Sequence, residues 1–146
     1  MAKQSALTTL IELAERDADD AAKRLGAANQ AVDEARQKLQ MLHEYRDEYA
    51  RKLDAAQAAG ITPQAYHNFV AFIAKLDNAV NGQTDQVKHA EYKSAQEKDA
   101  WQAVERKRLS YRTLNERAMA QALHLENKRD QKAMDEHAAR QAYYKR

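Results

Sequence analysis

The side chains best suited to metal binding or acid–base catalysis in this 146-residue chain are five scattered histidines. They are His43, His67, His89, His124 and His137. None has another histidine or a glutamate at the spacing that puts two ligands on one helical turn. A zincin-type histidine pair and a phosphate-binding P-loop motif are also absent, and there is no cysteine for a thiolate site or a disulfide. We therefore expect no enzymatic activity, no cofactor and no metal ion.

The remaining charged residues favour a soluble helical protein. They make up 32% of the chain, and most Asp and Glu are interpreted as solvated partners of Lys and Arg four residues away on a helix. The formal net charge of +2 is too small to predict nucleic-acid binding without a clustered basic face. The N-terminal residues lack a basic region followed by an apolar run, and no apolar stretch of about 18 residues could span a bilayer. These features predict a cytoplasmic protein.

A single predicted turn organises the chain. The segment 60–63 reads Gly-Ile-Thr-Pro and contains the only proline. Gly60 can adopt the positive φ that ends a helix, Thr62 can cap a new helix, and Pro63 suits its first position. Ile61 and Tyr66 have the spacing of a hydrophobic staple. The segment therefore predicts a hairpin bend at about 59–62 between helices over about 5–58 and about 63–142, in one domain over 1–146.

Apolar residues recur at alternating steps of four and three along both predicted helices, which is typical of a coiled-coil seam. In the first helix the seam positions are Leu7, Ile11, Ala14, Ala18, Ala21, Leu25, Ala28, Val32, Ala35, Leu39, Leu42, Arg46, Tyr49, Leu53 and Ala56. In the second they are Phe69, Ile73, Leu76, Val80, Gln83, Val87, Ala90, Ser94, Glu97, Trp101, Val104, Arg108, Tyr111, Asn115, Ala118, Ala122 and Leu125. The fold class predicted is all-α, a long antiparallel two-helix coiled coil. We expect the second helix to continue through Asn81 and Gly82.

The second predicted helix is longer than the first, so its C-terminal part should project beyond the hairpin. Residue 5 would lie opposite residue 116, which leaves the chain from Arg117 onward without a partner helix. This projecting part has seven Lys and Arg and four Asp and Glu, and an apolar stripe. The stripe consists of Ala118, Met119, Ala122, Leu123, Leu125 and Met134. An isolated helix with such a stripe is marginal in water, so we predict either a protein partner or a frayed, solvated tail.

A second set of residues forms a candidate docking patch close to the predicted turn. Leu42, Tyr45 and Tyr49 recur along one helix, and Phe72, Leu76 and Ala79 recur along the other. Tyr45 and Phe72 lie off the seams, so we expect them to be more exposed than the rest. The set is either a partner-binding surface or a widening of the core at the end of the hairpin.

The sequence resembles the flagellar FliJ family nearly end to end, and three stretches carry the resemblance. They are Ala6-Leu7 to Leu13-Ala14-Glu15 with Asp19-Asp20-Ala21-Ala22 and Leu25-Gly26; Leu39 to Tyr49 with Met41-Leu42, Tyr45 and Glu48-Tyr49; and Glu126-Asn127 with Asp130-Gln131-Lys132 and Met134-Asp135-Glu136. Their common order and spacing carry the resemblance. Lys38 and Gln83 extend the docking patch at helical spacing but differ from the Gln and His expected there.

The resemblance implies a non-catalytic component of the flagellar type III protein export apparatus, hence a role in flagellum biogenesis, chemotaxis and motility. It implies three partners: the hexameric export ATPase FliI, the membrane export gate protein FlhA, and export chaperones. The implied location is cytoplasmic, at the inner face of the cell membrane at the flagellar base. The implied gate contacts are Leu42, Tyr45, Tyr49, Phe72, Leu76 and Ala79. The implied contacts to the ATPase ring are Arg117, Met119, Leu123, Asn127, Arg129, Lys132 and Met134.

Other functions share the predicted fold. A stalk of a virulence-type secretion system would also bind an ATPase ring. A passive coiled-coil tether or homodimer would use the alanine-rich seam between two chains. A nucleic-acid binder would use the terminal Tyr143-Tyr144-Lys145-Arg146 for stacking and charge.

Overall fold

The computed structural model describes residues 2–145, with side chains from Ser5 onward, and this part of the chain is α-helical except for the turn at 60–62 and Lys145. Helix α1 spans Ala2–Ala59 and helix α2 spans Pro63–Tyr144. The described range contains no strand, and α2 runs without interruption through Asn81 and Gly82. The predicted all-α helical hairpin is confirmed. The helices extend slightly beyond the predicted bounds of about 5–58 and about 63–142, and the single domain stays a prediction.

The turn has the local structure that its sequence predicts. Gly60 has a φ of 88°, in the left-handed region that favours glycine, and its N–H donates to the carbonyl of Gln57 at 3.2 Å. Thr62 caps α2, because its Oγ1 accepts from the backbone N–H of Ala65 at 3.1 Å. Pro63, which has no N–H to satisfy, is the first helical residue.

Residues Asp20–Gln102 form one compact unit, in which the two helices run antiparallel. Arg36 and Glu91 form an ion pair with Nη2 and Oε1 2.9 Å apart. Ten residues further along α1, Arg46 pairs with Asp77, which lies fourteen residues earlier on α2. Contacts that advance along one helix while receding along the other define an antiparallel pair.

The core of this unit is narrow and built largely from small side chains. Its buried apolar residues are Ala21, Ala28, Val32, Leu76 and Val87. Gln83 is buried among them with 9% exposure, and its Nε2 donates to the backbone carbonyl of Ala35 at 3.0 Å. Because the alanines contribute little area each, stability must accumulate along the length of the seam. Every predicted α1 seam position is buried or half-buried.

The second compact unit contains the chain up to Asp19 and from Ala103 onward. Ala14 and Ala18 of α1 are buried in it, at 5% exposure each. The α2 residues half-buried at seam positions are Val104, Arg108, Tyr111, Asn115 and Ala118. Beyond Ala118, every described side chain is exposed. Ala122 and Leu125 were predicted as seam positions and are exposed, because no described part of α1 covers them.

Neither helix, over the residues described, contains a stretch long and apolar enough to cross a membrane.

Candidate protein-interaction surfaces

Three aromatic side chains of the predicted docking patch meet between α1 and α2. The Tyr49 ring lies 4.5 Å from the Phe72 ring and 5.1 Å from the Tyr45 ring, centroid to centroid. Tyr45 and Phe72 are 6.2 Å apart with their planes at 78°, an edge-to-face arrangement. All three separations are in the range of favourable aromatic pairs. We call Leu42, Tyr45, Tyr49, Phe72, Leu76 and Ala79 the aromatic surface.

The members of the aromatic surface differ in exposure. Tyr45 is 43% exposed and Ala79 is also exposed, whereas Leu42, Tyr49 and Phe72 are half-buried. Phe72 is more covered than its off-seam position predicts, because it packs on the rings of Tyr45 and Tyr49. Leu76 is buried, with 7% exposure, and therefore belongs to the core. The set therefore both widens the core and leaves apolar surface in solvent.

The two residues that extend this surface at helical spacing have different positions. Lys38 is exposed. Gln83 is buried and hydrogen-bonded to the carbonyl of Ala35, so it belongs to the core and is not accessible to a partner.

A polar pair adjoins the aromatic surface. Arg46 Nε donates to Asp77 Oδ1 at 2.8 Å, and this hydrogen bond raises the pKa of the guanidinium further above its ordinary value. The neighbouring Tyr49 hydroxyl raises the pKa of the Tyr45 phenol above its ordinary value through a side-chain hydrogen bond. The Asp77 pairing was not predicted from the sequence. The hairpin register could have indicated it, because 46 and 77 are nearly equidistant from the turn.

Two further residues near the turn lie beside the Tyr49 ring, and the sequence did not predict either as part of a surface. The Phe69 ring lies 6.3 Å from the Tyr49 ring, and Lys52 Nζ lies 5.1 Å from the centre of the Tyr49 ring, within cation–π range. Phe69 was predicted only as a seam residue.

The C-terminal segment, residues 117–145, is helical as far as Tyr144 and has an uncovered apolar stripe. The predicted ATPase contacts Arg117, Met119, Leu123, Asn127, Arg129, Lys132 and Met134 are all exposed. Met119 is 60% exposed, Leu123 58% and Met134 72%. In residues 120–145, as far as the structure describes them, no side chain forms a hydrogen bond or ion pair. Arg146, which belongs to the predicted basic end, lies outside the described residues.

Within residues 2–145, no cluster of three or more His, Asp or Glu side chains could hold a metal ion. The strongest side-chain pair in the chain-end unit is Glu105 with Arg108, one turn apart on α2. The Arg108 guanidinium donates to the Glu105 carboxylate, and this interaction lowers the pKa of Glu105 and raises that of Arg108. This arrangement is typical of a stabilising ion pair on a helix.

The two helices form an antiparallel hairpin with an aromatic surface next to the turn. The last helix also carries an uncovered apolar stripe. These features define a coiled-coil protein with surfaces suited to protein partners. Residues 3–146 match the model of the family described as flagellar FliJ protein. The chain is 36% identical over 145 residues to the flagellar FliJ protein of Escherichia coli (strain K12). It is 35% identical over 145 residues to that of Salmonella typhi, and each alignment covers 99% of both chains. The chain belongs to the flagellar FliJ family.

Proposed function

We propose that this protein is a non-catalytic, stalk-like component of the flagellar protein export apparatus, joining the hexameric export ATPase FliI to the export gate protein FlhA. Membership of the flagellar FliJ family supports a role in flagellum biogenesis, protein export and motility. The observation that carries the finer proposal is the uncovered C-terminal segment, with Met119, Leu123 and Met134 all at least 58% exposed.

In this proposal the C-terminal segment enters the central hole of the ATPase ring. Exposed methionine and leucine side chains can adapt to irregular apolar surfaces on a partner. Arg117, Arg129 and Lys132 lie on the same segment and supply charge for contacts at the rim of such an interface. A helix with this stripe gains stability when a ring covers it, so binding and ordering support each other.

The aromatic surface contacts the export gate. Tyr45 is exposed, and its ring contacts the half-buried rings of Tyr49 and Phe72. An aromatic residue fixed by packed neighbours is typical of a binding hot spot. The half-buried rings lose little side-chain freedom on binding, because the hairpin already holds them.

The mechanism is mechanical and allosteric. A single asymmetric helical hairpin inside a sixfold ring contacts the six subunits unequally, and can therefore stabilise different conformations in them. The protein promotes assembly and activity of the ring without contributing a catalytic group. It works in the cytoplasm, peripheral to the membrane at the flagellar base, and also escorts empty export chaperones.

The ATPase contact is tested with a full-length double variant, Leu123→Glu with Met134→Glu. Two carboxylates placed on the apolar stripe should abolish stimulation of the cognate export ATPase. The matched control, Gln121→Glu with Ala133→Glu, adds the same charge at exposed positions of the same segment that are not among the proposed contacts. Stimulation retained by the first variant and by the control alike would refute the contact.

A further inference from the structure

A small groove lies on the turn side of the aromatic surface. It is lined by Tyr49, Ala65, Asn68, Phe69 and Phe72. The three rings form its apolar wall, with Tyr49 set 4.5 Å from Phe72 and 6.3 Å from Phe69. Ala65 lines the groove with no more than a methyl group, so a larger side chain at this position should occupy part of its volume.

We propose that this groove receives one bulky apolar side chain, of leucine or phenylalanine type, from the export gate protein, and that Ala65 and Asn68 select for it. The inference rests on the proposed gate contact and extends it to residues that neither the sequence resemblance nor the aromatic surface includes.

The size of the groove favours a single side chain over a small-molecule ligand. Its volume is about 270 Å³, slightly below the roughly 300–1,000 Å³ of ligand pockets, and it is open to solvent along one side. Its continuity with the aromatic surface through Tyr49 and Phe72 means that a partner seated on Tyr45 also reaches it.

The polar groups at the groove suit a protein occupant. The Asn68 side chain is exposed and forms no hydrogen bond with any residue in the described range, so its amide can pair with a polar group beside the inserted side chain. Lys52 lies over the Tyr49 ring at 5.1 Å, with its own Nζ 3.6 Å from Glu48. A carboxylate of the partner, next to the inserted apolar side chain, would be attracted to the exposed Lys52 ammonium.

The direct test fills the groove without removing any contact. Ala65→Leu keeps the backbone N–H that donates to Thr62 Oγ1, and leucine is a good helix former. We expect unchanged helicity by circular dichroism and a loss of about tenfold or more in affinity for the cytoplasmic domain of the gate protein. Ala71→Leu is the matched control, because Ala71 is an exposed alanine of the same helix outside the groove, and it should bind as the unmodified chain does.

The polar rim is tested by Asn68→Ala against Asn78→Ala, an exposed asparagine outside the groove. We expect about a threefold to tenfold loss of affinity for Asn68→Ala alone.

The outcomes separate this inference from the function on which it rests. If Ala65→Leu binds with wild-type affinity and Tyr45→Ala binds more weakly, the groove does not receive a side chain, and the proposed gate contact is retained. Equal losses in Ala65→Leu and Ala71→Leu would also overturn it. No gate binding by the unmodified chain would refute the proposed gate contact, and the groove with it.

Discussion

Tyr49 of α1 and Phe72 of α2 are in ring contact across the helical pair, with centroids 4.5 Å apart and planes inclined by 45°. The pair belongs to both the core and the surface, because each ring is half-buried and each also touches the exposed Tyr45. Residues that stabilise the hairpin and residues available to a partner are therefore adjacent here, and substitutions should separate the two roles.

Phe72→Ala should destabilise the protein more than Tyr45→Ala. Removing the half-buried Phe72 ring should lower the free energy of unfolding by about 2 kcal/mol, less than the cost of truncating a fully buried phenylalanine. Tyr45→Ala should cost about 1 kcal/mol, since the ring is 43% exposed. Urea unfolding followed by circular dichroism measures both. Tyr92→Ala, at a 65% exposed tyrosine of α2, serves as the control and should change stability by less than about 0.5 kcal/mol. The opposite order for Tyr45 and Phe72 would contradict the observed packing.

Gln83 should matter through its hydrogen bond to the other helix. Gln83→Ala removes the donor to the Ala35 carbonyl and leaves space in the core, so the free energy of unfolding should fall by about 1–2 kcal/mol. Gln86→Ala, an exposed glutamine one turn away, should have almost no effect. Equal stabilities of the two variants in urea would mean that the buried hydrogen bond contributes nothing.

Two glycine-to-alanine substitutions should act in opposite directions. Gly82 is within α2, and a Cβ added there meets no atom within 4 Å, so Gly82→Ala should stabilise the protein by about 0.5–1 kcal/mol. Gly60 has a φ of 88°, which an alanine adopts only with strain, so Gly60→Ala should destabilise it by about 1 kcal/mol. The thermal midpoints of the two variants check this directly. A midpoint lowered by Gly82→Ala would contradict an uninterrupted helix there.

The Glu105–Arg108 pair should make stability depend on pH in one direction. The hydrogen bond from Arg108 lowers the pKa of Glu105 in the folded chain below its ordinary value of 4.5. A carboxyl group whose pKa is lower in the folded chain stabilises that chain at pH values above its pKa in the unfolded chain. This stabilisation is lost as the pH falls through the pKa of the folded chain. Glu105→Gln should therefore lower the thermal midpoint at pH 7, and its difference from the unmodified chain should vanish at low pH.

The control for this pH dependence is Glu116→Gln. Its carboxylate pairs with Arg112 at 3.7 Å, with both side chains more than 60% exposed, so solvent screens the pair and little change is expected. A difference for Glu105→Gln that grows as the pH falls would contradict the assigned sign.

The heptad pattern predicts the fold in detail because it reports directly which face of each helix is covered. All of the predicted α1 positions are at least half-buried, and the α2 pattern holds as far as Ala118. The exposed Ala122 and Leu125 show the limit of the pattern. Periodicity identifies a face that suits packing, and the presence of a partner depends on where the other helix begins.

The surfaces were less predictable than the fold. The sequence predicts Tyr45 and Phe72 at nearby levels, because an antiparallel register about the turn sets their positions, and the two rings lie 6.2 Å apart. It did not predict that Phe72 is half-buried, or that Ala65 opens a groove beside the rings. These details depend on side-chain rotamers and on the size of individual neighbours, which a repeat of apolar positions does not specify.

We propose that the C-terminal segment contacts the export ATPase and that the aromatic surface contacts the export gate. This division of roles is tested by the hydrolysis rate of the cognate ATPase with three forms of this protein: the full chain, the chain lacking residues 117–146, and the full chain with Tyr45→Ala and Phe72→Ala. We predict that the full chain and the aromatic variant stimulate hydrolysis equally and that the truncated chain does not stimulate it. Stimulation by the truncated chain, or its loss in the aromatic variant, would contradict the claim.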